Sequence, residues 1–298
     1  MADHSSTTHA EPSLADIGTA QREDRNVRRQ VAARRFYADA KLLHFAGSTV
    51  AVVLALLVPL FVWQWPSQGP LLGAVAGVWI FLARLVLVPL RDRKRLQGAL
   101  AQESFDCDVL GIEWSSGLGE PIAPEDTHRA AKRGGKWDTQ DWYPTEATAP
   151  WPRSVLICQR SNAVWARRQH GGYGWLLLGL ASAWGLAGVV IAIVSNATLA
   201  AYLTTIALPS LPALLDASEE ARAHFRASQA RQLLESAINA KLGSSGTDAA
   251  GLRAIQDQIY WLRRQAPLVP DWFYRLRRQD LEADMRDAAR DLTTNPGS

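Results

Sequence analysis

Residues 171–215 contain no Lys, Arg, Asp, Glu or His. A hydrocarbon core about 30 Å thick takes roughly 20 helical residues per crossing. The run is too long for one crossing and suits two. Ser195-Asn196, near its middle, is a polar pair fitted to a tight turn. The sequence therefore predicts one span over residues 173–194 and a second over 197–215, paired as a helical hairpin. So small a turn holds no domain. The rest of the chain must lie on the side where the hairpin begins and ends, or join it in the bilayer.

A second apolar run covers residues 43–90. The mean hydropathy of −0.09 hides both runs, because the remainder is rich in Arg, Asp and Glu. Span one is expected over 43–63, with Pro59 near its far end and Trp63 and Trp65 at the membrane–water interface. Pro66-Ser67-Gln68-Gly69-Pro70 makes the turn, and span two follows over 71–90. Gly73 and Gly77 in that span allow close helix approach. Arg84 sits about six residues from its end, roughly 9 Å deep at 1.5 Å per residue. Such a side chain either snorkels to the interface or faces a pore or neighbouring helix.

Charge sets the expected topology. Arg91, Arg93, Lys94 and Arg95 follow span two, and Arg160, Arg167 and Arg168 precede span three. The two short turns carry no Lys or Arg, so the positive-inside rule puts both termini and the middle region in the cytosol. The expected fold is a mainly α integral membrane protein with four transmembrane helices in two hairpins. A small cytosolic insert lies between spans two and three, and a cytosolic helical region follows span four. The expected divisions are a disordered tail (1–20), a basic juxtamembrane helix (21–42), hairpin one (43–90), the middle region (91–170), hairpin two (171–216), the C-terminal helices (217–292) and a last tail (293–298). The opening residues lack an apolar leader-like stretch.

Within the middle region, apolar residues alternate over 105–114, which predicts a short extended segment on which Asp106 and Asp108 point the same way. Pro124 opens a helix, and residues 132–136 read as a basic, glycine-containing loop. Lys132, Arg133 and Lys136 there could contact phosphate, or simply be solvated. Beyond span four, a polar helix is broken near residues 243–246. Thr247 is expected to cap the next helix and Asp271 the last. These helices bury their apolar faces in a cytosolic bundle or against another subunit.

Span four has a polar signature. Thr198, Tyr202, Thr205, Pro209 and Pro212 recur at helical spacing and are expected on one face. That face either packs inside the chain's own bundle or lines a watery path in an oligomer. No catalytic set is visible: the six histidines are scattered, and no phosphate loop, GxSxG or CxxC occurs. The reading is therefore not an enzyme, with no metal and no cofactor. Cys107 and Cys158 are expected to be free thiols in a reducing compartment. The net charge of +3 says little about partners.

Five motifs stand in order around the two apolar runs: residues 32–41 (Ala-Ala-Arg-Arg-Phe-Tyr-Ala-Asp-Ala-Lys), 105–114 (Phe-Asp-Cys-Asp-Val-Leu-Gly-Ile-Glu-Trp), 141–144 (Asp-Trp-Tyr-Pro), 158–165 (Cys-Gln-Arg-Ser-Asn-Ala-Val-Trp) and 269–274 (Val-Pro-Asp-Trp-Phe-Tyr). In this the chain resembles the four-span pore-forming effectors associated with bacterial SMODS-type nucleotidyltransferases. Glu113-Trp114-Ser115 departs from the Pro-Trp-Asn-like run expected there. The resemblance implies a multi-pass protein of the bacterial cytoplasmic (inner) membrane. It would act in antiphage defence, respond to a nucleotide second messenger, and make the membrane leaky. The implied partners are the lipid bilayer, further copies of the chain and a cyclic oligonucleotide, and no nucleic acid polymer. The motif residues Tyr37, Lys41, Asp106, Trp114, Trp142, Tyr143, Gln159, Arg160, Asn162 and Trp165 would serve sensing or structure. A non-conducting scaffold that recruits a cytosolic partner is the competing reading.

Overall fold

The computed structural model describes residues 11–135, 142–244 and 247–294. Every regular element among them is helical. The first helix, α1 (Leu14–Ala20), starts at a capping box: the Asp16 N–H donates to Ser13 Oγ, and the Ser13 N–H donates to Asp16 Oδ2 at 2.9 Å. Leu14 and Ile17 are fully buried. Residues 11–20, expected as part of a tail, are thus built into the fold, while residues 1–10 lie outside the described residues. A Cβ on Gly18 would stand 2.9 Å from Thr145 Oγ1, so glycine permits α1 to seat closely on the 142–149 loop.

Four very long helical paths follow. α2 (Asp24–Gln64) has 41 residues, about 60 Å at 1.5 Å per residue, twice the thickness of a hydrocarbon core. After the turn at Pro66–Gln68, α3 (Gly69–Leu82) passes through a π-helical turn (Ala83–Leu87) into α4 (Val88–Leu110). α5 (Pro124–Gly134) is short and packs on α2. α6 (Arg153–Val194) has 42 residues. It turns at Asn196, whose φ of 51° is left-handed. α7 (Leu199–Tyr202) then leads through a second π turn (Leu203–Ala207) into α8 (Leu208–Gly243). α9 (Ala249–Gln265) and α10 (Asp271–Thr294) complete the chain.

The two π turns share a cause. In each, an N–H bonds five residues back: Val88 to Ala83 and Leu208 to Leu203. Pro89 and Pro209 each lie two residues beyond the turn. A proline offers no N–H to the carbonyl four residues earlier, and a widened turn absorbs the defect. The second of these turns also interrupts the register of the path from Leu199 to Gly243, so residues before and after it no longer share one continuous 3.6-residue face. Thr198 lies ahead of that helix as its cap, accepting from the Ala201 N–H at 3.2 Å.

Leu71–Leu110 and Arg153–Val194 are long and apolar enough to cross a membrane, and almost none of their apolar windows is buried within the chain. Phe81, Leu85, Leu180 and Ile193 are among the large apolar side chains left exposed there. The polar ends of these helices together with the other described elements, here called the head, have their own core. Phe105, Val109 and Leu110 of α4 pack with Leu14 and Ile17 of α1, Val155 and Leu156 of α6, Ile238 of α8 and Ile255 of α9. Both helical hairpins therefore end in one hydrophobic cluster.

Three local expectations are corrected. Residues 105–110 are helix, not extended: Phe105 and Val109 alternate but are also four apart, and burial of that face selects the helix. Gly111, at φ 64°, stops it. Asp106 is consequently buried, whereas Asp108 lies at the surface paired with Arg25 and Arg29 at 3.0 and 2.8 Å. Lys132 and Arg133 are the last turn of α5 rather than a loop, a favourable place for cations. Asp248, not Thr247, caps α9, accepting from the Gly251 N–H at 2.8 Å; Asp271 is the first residue of α10 rather than its cap. Replacing Ile17 by Ala should lower stability by about 2–5 kcal/mol, read as a lower Tm of the detergent-solubilised protein; an unchanged Tm would contradict the seating of α1.

Candidate ligand cavity

A cavity of about 680 Å³ opens in the head between α1, α2, α6, α10 and the loop carrying Trp142. Helical spacing puts each contribution on one face. α2 supplies Arg34, Tyr37, Ala38 and Lys41; α6 supplies Ser161, Asn162, Trp165 and Gln169; α10 supplies Asp271, Tyr274, Arg275, Arg278, Glu282 and Arg286. Arg22, Arg231 and Arg263 join from the stretch after α1, from α8 and from α9 respectively. Eight Lys and Arg side chains thus face three carboxylates, Glu146, Asp271 and Glu282, among five Trp and Tyr rings.

Several cations are engaged within the chain. Lys41 Nζ lies 2.5 Å from Asp271 Oδ1, tying α2 to the start of α10. Arg278 pairs with Glu282 at 2.5 Å. Arg34 Cζ stands 5.7 Å from the Trp142 ring centroid and 5.7 Å from that of Tyr274, and its Nη2 donates to Tyr274 Oη at 3.3 Å. The Trp165 and Tyr274 rings are 5.9 Å apart. Arg231 donates to the carbonyls of Ala227 and Leu262 at 2.8 and 3.0 Å. Burial, with Arg263 nearby, pushes its pKa down to about 10.

Beneath the cavity lies a buried charge network. Asp106 Oδ2 accepts from Arg263 Nη2 at 2.8 Å and from Gln256 Nε2 at 3.0 Å, and its Oδ1 accepts from Tyr143 Oη at 2.7 Å. Glu103, one turn earlier on α4, accepts from Arg253 Nη2 at 2.6 Å. Burial, then the neighbouring Asp106, raises the Glu103 carboxyl above its ordinary range. Gln21 fixes the Tyr143 backbone from the other side, accepting its N–H at 2.8 Å. Tyr143 and Trp142 are therefore held by residues distant in sequence.

A histidine pair closes the cavity on the side of the apolar helices. His170 Nδ1 lies 2.9 Å from His224 Nδ1, so one ring must donate and the other accept. His224 Nε2 is 3.5 Å from Glu220, which lies 3.9 Å from His44 Nε2 on α2. Burial, reinforced by Arg231 and His224, holds His170 well below the ordinary imidazole range.

The structure brings together Tyr37, Lys41, Trp142, Tyr143, Asn162 and Trp165 on the cavity wall and puts Asp106 under it. It leaves three motif residues elsewhere. Trp114 donates from Nε1 to the Gly119 carbonyl at 2.8 Å in a separate loop. Gln159 is buried against the Leu252 carbonyl at 2.9 Å, and Arg160 bonds Asn239 and Glu235 on α8. Lys132 and Arg133 stand outside the cavity on α5, where Arg133 comes within 4.0 Å of Asp39; Lys136 lies outside the described residues. Arg84 is exposed within the first π turn. Tyr202 precedes the second turn and Pro212 lies exposed beyond it; the side chains of Thr205 and Pro209 lie outside the described residues. Sequence reasoning missed Arg34, Arg231, Arg263, Tyr274 and the basic face of α10. The spacing of Tyr274, Arg275, Arg278, Glu282 and Arg286 was the available signal.

These features define a helical membrane protein whose head holds a cationic, aromatic-walled cavity. The chain belongs to the SMODS-associating 4TM effector domain family, which it matches over residues 15–292. It is also 23% identical over 272 residues to a Bacillus cereus (strain VD146) protein named a probable CBASS effector molecule, covering 87% of this chain and 92% of that one. No solved structure matches significantly.

Two outcomes follow from the charged groups. Asp106→Ala leaves Arg263 buried beside one carboxylate fewer and should lower stability by about 3–5 kcal/mol, measured by thermal unfolding; a neutral result would contradict the network. An unfolded His170 titrates near 6.5. Below that pH the unfolded chain takes up a proton that the folded chain refuses. The stability of neutral His170 is therefore full above about pH 6.5 and is lost, by up to about 1.4 kcal/mol per pH unit, as pH falls toward the depressed folded value. His170→Gln should show a smaller fall in Tm between about pH 7.5 and 5.5 than wild type does.

Proposed function

We propose that this chain is an antiphage effector of the cytoplasmic membrane, gated by a nucleotide second messenger from an associated nucleotidyltransferase. The ligand occupies the head cavity, and several copies then open a path through the bilayer. The observation that carries this reading is continuity. Arg34, Tyr37 and Lys41 on the cavity wall belong to α2, and Asn162 and Trp165 belong to α6; both helices run unbroken from the cavity into the apolar runs. Arg231 sits on α8 and Gln102 on α4, the helices that lead to the two π turns. Phosphates match the surplus of cations and bases match the rings.

In this reading all four long helical paths cross the bilayer as two hairpins, with both termini and the head in the cytosol. Arg84 and the Thr198-to-Pro212 segment then face the path or a neighbouring copy, where a polar group finds water or a partner. The π turns are the places where helix register can slip. A ligand drives opening only by binding the open arrangement more tightly than the closed one.

Regulated expression in bacteria carrying a potential-sensitive dye tests this. Wild type should depolarise the cell when a cyclic oligonucleotide is produced, and the Tyr202→Leu, Thr205→Leu double variant should lose that response at equal protein level. Depolarisation unchanged by the double variant removes span four from the path. Normal potential and growth in wild type, with and without nucleotide, favours the scaffold instead.

A further inference from the structure

On the cavity wall, polar side chains from four helices are short of partners. Tyr37 of α2, Gln169 of α6, Arg231 of α8 and Arg263 of α9 all line it. Arg231 is only 5% exposed. Its Nη1 and Nη2 each donate once, to the carbonyls of Ala227 and Leu262, and no carboxylate pairs with it among the described residues. Arg263 gives its Nη2 to Asp106, but its buried Nη1 has no hydrogen bond and lies 3.8 Å from Glu103 Oε2. Tyr37 Oη and Gln169 Nε2 are buried without a partner among the described residues. An unmet buried donor is costly, so three of them lining one cavity beside an uncompensated guanidinium describe a site that a ligand completes.

Charge says which kind of ligand. Arg231, Arg253 and Arg263 stand against Glu103 and Asp106 here, one positive charge in excess. Burial, then Arg263, lowers the Arg231 pKa to about 10, and no carboxylate offsets them. The missing group is an acceptor with one negative charge and more than one oxygen. Resting on the nucleotide-gated reading above, we propose that this part of the cavity is a subsite for one singly charged phosphodiester, with Arg231 as its counter-ion and Tyr37 Oη, Gln169 Nε2 and Arg263 Nη1 as further donors. A phosphodiester has two free oxygens sharing one charge, and its bonds to guanidinium are of the strong, charge-assisted kind. A cyclic oligonucleotide carries one such group at each linkage. A phospholipid headgroup carries the same group, and the cavity reaches His170 on the side of the apolar helices. Tyr37, Gln169 and Arg231 stand on α2, α6 and α8, so one bound phosphodiester ties together three of the four long helical paths.

Thermal unfolding and isothermal titration of the full-length protein in dodecyl maltoside, a detergent without phosphate, test this with dimethyl phosphate, neutral trimethyl phosphate and cyclic di-GMP. At matched ionic strength dimethyl phosphate should raise the wild-type Tm, and trimethyl phosphate should not. Tyr37→Phe removes an unpartnered hydroxyl. It should leave the unliganded Tm unchanged or higher and weaken dimethyl phosphate about tenfold. Arg231→Gln should abolish the response; if that variant does not fold, Tyr37→Phe decides. A wild type indifferent to dimethyl phosphate, a trimethyl phosphate that acts equally, or a Tyr37→Phe that binds as wild type does overturns the subsite. A lower unliganded Tm in Tyr37→Phe also overturns it, since the hydroxyl then has a structural role. Cyclic di-GMP weakened by both variants assigns the phosphodiester to a nucleotide. Added phosphatidylglycerol that raises the wild-type Tm and blocks dimethyl phosphate, but acts on neither variant, assigns it to a lipid headgroup, and the subsite stands. Cyclic di-GMP that binds wild type and both variants alike overturns the subsite and leaves nucleotide gating standing. Dimethyl phosphate that needs both side chains, in a protein that nucleotide production never opens, keeps the subsite and removes the gating.

Discussion

Two fully buried carboxylates three residues apart on one helix are hard to accommodate, because removing each from water is costly and each repels the other. Glu103 and Asp106 stand in that relation on α4. Arg253 and Arg263, a spacing of ten residues along α9, neutralise them, and Gln256 between these two donates to both carboxylates at 2.9 and 3.0 Å. The contact also reaches Tyr143, which Asp106 holds through its hydroxyl, and so the loop carrying Trp142. Without this network, α9 has no polar register on α4 and the cavity loses one wall. The same burial raises the Cys107 thiol above its usual range, with Glu103 adding to the effect; Cys107 and Cys158 are both free.

The head and the apolar helices are parts of the same long rods. α2 and α6 each exceed the thickness of a hydrocarbon core roughly twofold. The apolar stretch of α6 is covered by little of the chain itself, and the polar halves pack in the head, α6 in the cluster with Leu14 and Phe105 and α2, through Ala32, Ala33 and Phe36, in a second cluster. Rods of this kind transmit displacement along their length with little loss, except where hydrogen bonding is irregular. Among the described residues, π-helical bonding occurs ahead of Pro89 and Pro209, and Pro59 and Pro212 also lie inside helices. The buried His170–His224 contact bridges α6 and α8 at the boundary between the two halves.

Much of this was legible in sequence for a simple reason: lipid imposes a one-dimensional rule. Charge-free length and basic flanks located the apolar helices and their turns without any knowledge of tertiary contacts. Some residues of the cavity wall stood out in the sequence as motif residues, though not as a cavity. Tyr37, Lys41, Asn162 and Trp165 stand in motifs, and helical spacing puts each pair on one face. What was not legible depends on contacts distant along the chain. α1 has a Ser-x-x-Asp box but only Leu14 and Ile17 as large apolar residues, and their burial becomes visible only with the loop above them. Residues 105–110 satisfy both strand and helix periods, and packing made the choice. The basic face of α10 alternates with Glu282, and its place opposite α2 follows from the Lys41–Asp271 pair rather than from any local pattern. The π turns are a response to single prolines, which a regular 3.6-residue reading overlooks.

The central claim is that occupancy of the head cavity is converted, along continuous helices, into a path through the bilayer. Purified protein reconstituted in a planar bilayer, with cyclic dinucleotide added to one side at a time, tests this most directly. The account predicts conductance steps when nucleotide reaches the side bearing the head, and silence when it is confined to the opposite side. Saturated binding with no conductance from either side would contradict it.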